Sequence, residues 1–442
     1  MYFAFPKARF IGLAAVTLLL AGCDTWLGSD ENKRLQGQRI DVLRGGGAIK
    51  VDERIKDLKI LLPRPDVNAE WPQAGGYPNH AMHHLAASGP LKQQWRIDIG
   101  KGSNDEAQLL AQPVIAGGKI YTVDIDAKVS AFDQKSGRRL WQIELSKDDN
   151  EGILGGGVSV NNGRLIATTG FADVVALNAK TGEEIWRKRL SGPMRAAPTV
   201  WGGRVFAVTV ANELHVLSAN DGRELWTHSG LREVAGLLGG APPAVDGGVV
   251  VVPFSSGEVV ALRVENGRQV WAESLTALRR SDAVTAIAHI RGQPVIDRGI
   301  VYIVGNSNRT VAVDLRTGTR LWEVAVGGVH GAWVAGDFAY VVTRNAEVIC
   351  LTRRGGRVRW KAQLPRFEDP EDQTGAILWA GPVVAGSRLL VGNNMDELWS
   401  LSPYSGKILG RIDISGPVLI PPIVASETLY VLTDEADLIA FH

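Results

Sequence analysis

Cysteine, net charge and long apolar runs are all scarce in this sequence, and each scarcity excludes something. Only Cys23 and Cys350 occur in 442 residues, with no adjacent cysteine pair and no CxxCH haem-attachment motif. If Cys23 is modified, no internal disulfide can form, and Cys350 lies in the alternating run Glu347-Val348-Ile349-Cys350-Leu351, as a buried strand cysteine would. Lys and Arg number 48 against 47 Asp and Glu, and without residues 1–22 the balance is 46 against 47. No field of one sign exists to recruit nucleic acid. The longest N-terminal apolar stretch, 10–20, falls far short of the roughly twenty residues needed to cross a bilayer. Long helical periodicities are few, while Gly (51 residues), Val, Leu and Ile are abundant, which predicts short strands and tight turns.

The N-terminus reads as a signal peptide over 1–22: Lys7 and Arg9, the apolar run, then small Ala21 and Gly22 before Cys23. Leu20-Ala21-Gly22-Cys23 resembles the bacterial lipobox. That resemblance implies a thiol diacylated at the membrane surface, cleavage before Cys23 and acylation of the new amine. Several acyl chains, at about 0.8 kcal/mol per buried methylene, make a durable anchor. Asp24 resembles the retention signal that keeps lipoproteins of enteric bacteria on the inner membrane.

From residue 113 the sequence repeats itself. Residues 113–141 and 294–322 both read as apolar strand, Gly turn, strand, polar turn, strand, then turn-Gly-x-x-x-Trp. The closing pieces end at Trp141, Trp186, Trp226, Trp271, Trp322 and Trp360, spaced by 45, 40, 45, 51 and 38 residues, while a seventh, SGKILG, ends at Gly410. That period suits a four-stranded propeller blade. In each piece a polar residue can bond its own backbone, Gly supplies a positive φ, and the tryptophan four residues on packs between blades with its indole N–H seeking an acceptor.

First strands begin near Pro113, Gly157, Pro198, Pro243, Pro294, Trp333, Pro382 and Pro422, which predicts eight blades. The last copy stops after its third strand at His442. Residues 91–99 carry a matching Trp95 without three strands before it, so they should complete the last blade and close the ring. The expected organisation is all-β: signal peptide 1–22, lipid-anchored tether 23–69, and an eight-bladed propeller over 70–442. The tether is charged and Gly-rich, with a short strand expected at LKILLP. As a flexible chain its span would be roughly 35–40 Å.

The [TSDN]-G-x-x-x-W pattern resembles the pyrroloquinoline-quinone-type propeller repeat over about 350 residues. Two groups share it: quinoprotein dehydrogenases, and the BamB lipoprotein family of the outer-membrane β-barrel assembly machinery. Lipobox, tether and a single ring resemble the latter, and residues 68–85 look like its alphaproteobacterial members. The resemblance implies a non-enzymatic scaffold without cofactor, lipid-anchored at the outer membrane and facing the periplasm. Its partner would be BamA through the periplasmic POTRA repeats, with unfolded outer-membrane proteins as a further ligand. The alternatives are a periplasmic quinoprotein-like dehydrogenase and a membrane-tethered propeller for another partner. A dehydrogenase of that kind would hold its quinone over calcium with carboxylate and amide ligands. Outside the turn signals, no dense Asp/Glu/Asn cluster stands at the strand ends.

Three connections between repeats are long: 227–241, 272–293 and 361–381. The BamB family carries a Leu-Arg pair upstream of an Ala-Pro that opens a strand, and Leu231-Arg232 stands here upstream of Ala241-Pro242. Leu231 either fills a partner's pocket or folds under its own loop. The family's next loop brings acids close to its strand-opening proline. Here that place reads AHIRGQP, with Asp282 farther upstream beside Arg279 and Arg280. His80, His83 and His84, at i, i+3 and i+4, would share one face of a helix and could hold a metal. With no acidic or cysteine partner nearby in sequence, the expectation is a solvated loop and no metal.

Cys23→Ser should leave the ring folded and release it from membranes. Mutant protein that still floats with membranes after a carbonate wash would place the anchor elsewhere.

Overall fold

The computed structural model describes residues 49–87, 89–146, 155–233, 236–276 and 287–442. The expected signal peptide, Cys23 and Asp24 lie outside them. Among the described residues there is no helix. The chain forms eight four-stranded antiparallel sheets, each a meander, and one two-stranded hairpin. The sheets are the eight blades of a β-propeller, and the first strand of each blade lies nearest the axis.

Burial follows position along the blade. Middle strands such as Val249–Pro253 are covered on both faces by neighbouring blades, and their apolar runs are continuous. Outermost strands such as Arg139–Glu144 alternate half-buried with exposed residues. The ring closes as the repeat count requires. Gln93–Asp98 pairs antiparallel with Asp437–Phe441, setting Trp95 opposite Ala440. Lys92 and His442 exchange backbone hydrogen bonds of 3.1 and 2.9 Å, and Arg96 pairs with Asp437.

One contact recurs at the seams between blades. The tryptophan of each outer strand lies over the turn glycine of the next blade. A Cβ at Gly222 would stand 2.6 Å from Trp186, at Gly267 2.6 Å from Trp226, and at Gly406 2.7 Å from Trp360. Each of these glycines has a positive φ, +71° at Gly222, so both its backbone and its missing side chain are used. Trp95, Trp186, Trp226, Trp271, Trp322 and Trp360 each donate the indole N–H to a carbonyl of the following blade, at 2.8–3.2 Å. Trp141 is the exception: its indole N–H has no acceptor, and the Ala179 carbonyl of the next blade takes the Tyr121 hydroxyl at 2.9 Å. Across the strand from each tryptophan is a small residue: Ala131, Ala176, Val216, Ala261, Ala312 and Cys350. Burial pushes the Cys350 thiol well above its usual range, so it is a packing residue. Gly410 breaks the pattern for a structural reason. Its neighbour, the eighth blade, has no hairpin turn at the corresponding corner, because the two ends of the ring meet there.

Residues 66–87 are not a solvated loop and not a helix. They form a strap that makes one circuit of the axis and bonds the inner strand of every blade. Asn68 reaches Val424, Trp71 exchanges two backbone bonds with Ile115, and the Pro72 carbonyl accepts from Val160. Gln73 pairs its side-chain amide with Val200, Pro78 accepts from Val245, and Asn79 from Ile296. The His83 carbonyl takes the Trp333 indole N–H, and Leu85 N–H donates to Val384. Inner strands have an unpaired edge toward the channel, and the strap satisfies much of it.

This corrects both expectations for the histidines. His80 and His83 have φ of 60° and 54°, which no right-handed helix allows. His80 Nδ1–H donates to Pro294 O and His84 Nδ1–H to Pro63 O, both at 2.7 Å, while His83 Nε2 faces Asp297 at 3.5 Å. The three rings diverge to separate partners and share no point at which to hold an ion. His80 and His84 are buried. Burial lowers His80 to about 4, so its ring is neutral.

The part of the expected tether that is described, 49–69, is laid against the ring. Asp52 N–H bonds Val358 O at 2.9 Å, Arg359 Nε–H bonds Leu58 O at 2.7 Å, and Ile60 is buried. Ile49, Val51 and Leu62 pack on the same clusters. These apolar residues give the segment something to bury, despite its charge. LKILLP forms no strand, and Pro63 and Pro65 cannot donate to a ladder.

Gly222→Ala should destabilise the ring by about 1–3 kcal/mol, the cost of overpacking against Trp186. Gly410→Ala, where a Cβ meets nothing within 4 Å, should be neutral in the same denaturant titration. Removing residues up to 48 should leave thermal unfolding unchanged. Removing them up to 87 strips the strap and should lower the melting temperature by on the order of 10 °C, since each buried backbone group left unpaired costs about 1–3 kcal/mol. Equal melting of the two truncations would show the strap to be dispensable.

Candidate functional site

The connections between successive blades all emerge on one face, opposite the strap. The first long one, after the third blade, carries Leu231 and Arg232. Leu231 does not fold under its loop: 67% of it is exposed, and Arg232 is exposed beside it. Its backbone, by contrast, is clamped on both sides. Leu231 N–H donates to Glu258 Oε2 at 3.2 Å, and its carbonyl accepts from Asn212 Nδ2 at 2.6 Å. Asn212 is itself buried, and its Oδ1 accepts from the Ser255 amide and hydroxyl at 3.1 and 2.9 Å. Gly230 has Phe254 so close that a Cβ would lie 2.7 Å from the ring. The result is an exposed apolar side chain on a backbone held by hydrogen bonds from both sides.

The far end of the loop is held by His289. Leu237 N–H donates to His289 Nδ1 at 2.8 Å, which requires the neutral ring. Burial, and then the charges of Arg195 and Arg291, lower His289 to about 4. Beneath the loop lies a cleft of about 270 Å³ lined in part by Val208, Asn212, Glu233, Pro253 and His289.

Other expected features are less concentrated. Arg279, Arg280 and Asp282 of the second long loop lie outside the described residues. The third loop folds as an exposed hairpin, Phe367–Asp369 against Thr374–Ala376, with Glu368, Asp369, Glu371 and Asp372 around its tip. Trp379 anchors it through Nε1–H to Pro365 O at 2.9 Å. The inter-blade tryptophans sit at the seams and contribute nothing to this face. Asn212 and His289 were not singled out from the sequence, and Glu258 read there as an inter-strand turn residue with no role. Each looks there like an ordinary turn or loop polar residue, and each finds its partner 19 to 52 residues away.

A calcium-held quinone like that of the dehydrogenases would need oxygen ligands at the channel mouth on this face. Trp71, Gln112, Arg195, Arg291, His330 and Trp333 line a cavity of about 130 Å³, and no Asp or Glu lines it among the described residues. A site for a calcium ion needs oxygen ligands, carboxylates above all. These residues do not fit the group.

Comparison with known proteins agrees with this geometry. The family described as "Outer membrane protein assembly factor BamB" matches residues 86–152, 126–362 and 365–442. The outer membrane protein assembly factor BamB of Salmonella typhimurium is 30% identical over 344 residues, 76% of this chain and 85% of that protein. Among solved structures, BamB from Moraxella catarrhalis superposes with a TM-score of 0.67 at 19% identity, covering 80% of this chain and all of that one. A europium-containing methanol dehydrogenase reaches 0.65 at 14% identity, covering 82% and 89%, a likeness of fold alone. With the family matched along nearly the whole ring and a relative at this identity, the chain belongs to the outer membrane protein assembly factor BamB family.

Proposed function

We propose that this chain is a non-enzymatic scaffold of outer-membrane protein assembly, docking on BamA through its periplasmic POTRA repeats and assisting insertion of β-barrel proteins. The observation that carries the reading is Leu231: an exposed leucine with a neighbouring arginine, on a backbone fixed by Asn212 and Glu258, in a member of the BamB family. A clamped loop loses little conformational freedom on docking, so more of the contact energy survives as affinity. The leucine would fill an apolar pocket, and the Arg232 guanidinium would meet a carboxylate or backbone carbonyls of the partner. The acids absent before Pro294 have a counterpart in the exposed hairpin at 367–376. The ring would be held by lipid at Cys23, facing the periplasm from the outer membrane. Unfolded barrel proteins would be further ligands of the same face.

Leu231→Ala with Arg232→Ala should weaken binding to purified BamA POTRA repeats. Each anchor can cost about 2 kcal/mol or more, so the pair should raise Kd by roughly a hundredfold or beyond. Lys119→Ala, beside a turn on the opposite face, should change nothing. Circular dichroism checks that the variants are folded. Unchanged affinity in a folded double variant would remove this loop from the interface.

A further inference from the structure

We infer that the mouth of the central channel is a binding site for a small oxyanion, a carboxylate or phosphate group held between Arg195 and Arg291. Both side chains line the cavity of about 130 Å³ at the centre of the loop face. Among the described residues neither makes an ion pair or a hydrogen bond, and no carboxylate lines the cavity. Arg195 and Arg291 are half-buried, and other arginines of this ring find carboxylates. Arg353 pairs with Asp297 at 2.8 Å and bonds Tyr302 Oη, and Arg187 pairs with Asp173 at 3.0 Å and Glu184 at 2.8 Å. Half-buried and without a protein partner, the two guanidiniums keep N–H donors and positive charge free to face an anion in the cavity.

One loop passes near both side chains. A Cβ at Gly239 would stand 3.2 Å from Arg291 Nε. One at Gly236 would stand 3.9 Å from Arg195 Nη1 and 3.3 Å from His289 Nδ1. The glycines thus let the backbone pass close over both guanidiniums. Their fields are felt nearby: Arg291 helps lower His330, and both arginines help lower His289, in each case after burial. Beneath them Trp71 and Trp333 stack with centroids 6.4 Å apart, an apolar floor that strengthens any ion contact above it.

A planar guanidinium matches the paired oxygens of carboxylate and phosphate, which fixes the ligand's class. The volume is about that of four waters at ~30 Å³ each, room for a phosphate or a carboxylate head. Free phosphate, a small organic acid and the terminal carboxylate of an extended peptide share that chemistry. The site does not depend on BamA being the partner.

Isothermal titration of the full chain with inorganic phosphate, succinate, and trialanine as free acid or amide tests this. At least one anion should bind saturably with one site and raise the melting temperature. Arg195→Gln and Arg291→Gln should each weaken it about tenfold or more, the loss expected of a charge-assisted bond. Without ligand, Arg291→Gln should melt no lower than the parent, because it removes an unmatched charge. Binding of phosphate without the peptide acid would assign a free anion. Binding of the peptide acid and not its amide would assign a chain terminus. The inference is overturned if none of these anions binds saturably at millimolar concentration, or if both folded variants bind as the parent does.

Discussion

The ring depends on an indole laid over a glycine. Each blade presents a turn whose tip has positive φ and no Cβ, and the tryptophan of the preceding blade occupies the space that absence leaves. The contact joins three requirements that no other residue pair meets together: a left-handed backbone, a flat apolar surface and a donor that reaches a neighbouring carbonyl. It also accounts for its own exception. Where the chain ends meet in the eighth blade there is no turn glycine, and the facing residue of the seventh blade is Gly410 rather than tryptophan.

If the tryptophans hold the blades from outside, the strap holds them from within. Inner strands of a propeller leave polar edges toward the channel, and 66–87 visits them in ring order, beginning at the eighth blade and ending at the seventh. Its irregular backbone, with bonds made by side chains as well as by amides, is what allows one chain to follow a circle of diverging strands. Trp71, Ala74 and His80 of the strap line the cavity at the centre of the ring.

On the loop face, rigidity and exposure are combined. Leu231 is displayed by a loop whose backbone bonds run to two blades, and the same loop continues over His289, Arg195 and Arg291 toward the axis. A neutral imidazole is needed to accept the Leu237 amide, and the two arginines beside it help keep it neutral. The loop's shape and the channel's charge are therefore features of one arrangement.

Much of this was legible in advance. The spacing of Trp141 through Trp360 counted the blades, and the orphan Trp95 identified the strand that completes the last one, because strands, turns and their glycines are local patterns. Family resemblance pointed to the Leu231-Arg232 pair, but the exposure of Leu231 could be read only from the structure. The histidines misled, since i, i+3, i+4 spacing has meaning only on a helix, and two positive φ values exclude one. The described part of the tether misled because its charge concealed the apolar residues that dock it. By itself the sequence determined the repeat, its number and its closure. The tertiary structure alone decided the path of the strap, the clamp on Leu231 and the placing of Arg195 and Arg291 on one cavity. Those depend on pairs such as Gln73 with Val200 or Asn68 with Val424, 127 and 356 residues apart, and no local periodicity records which distant residue the closed ring will bring near.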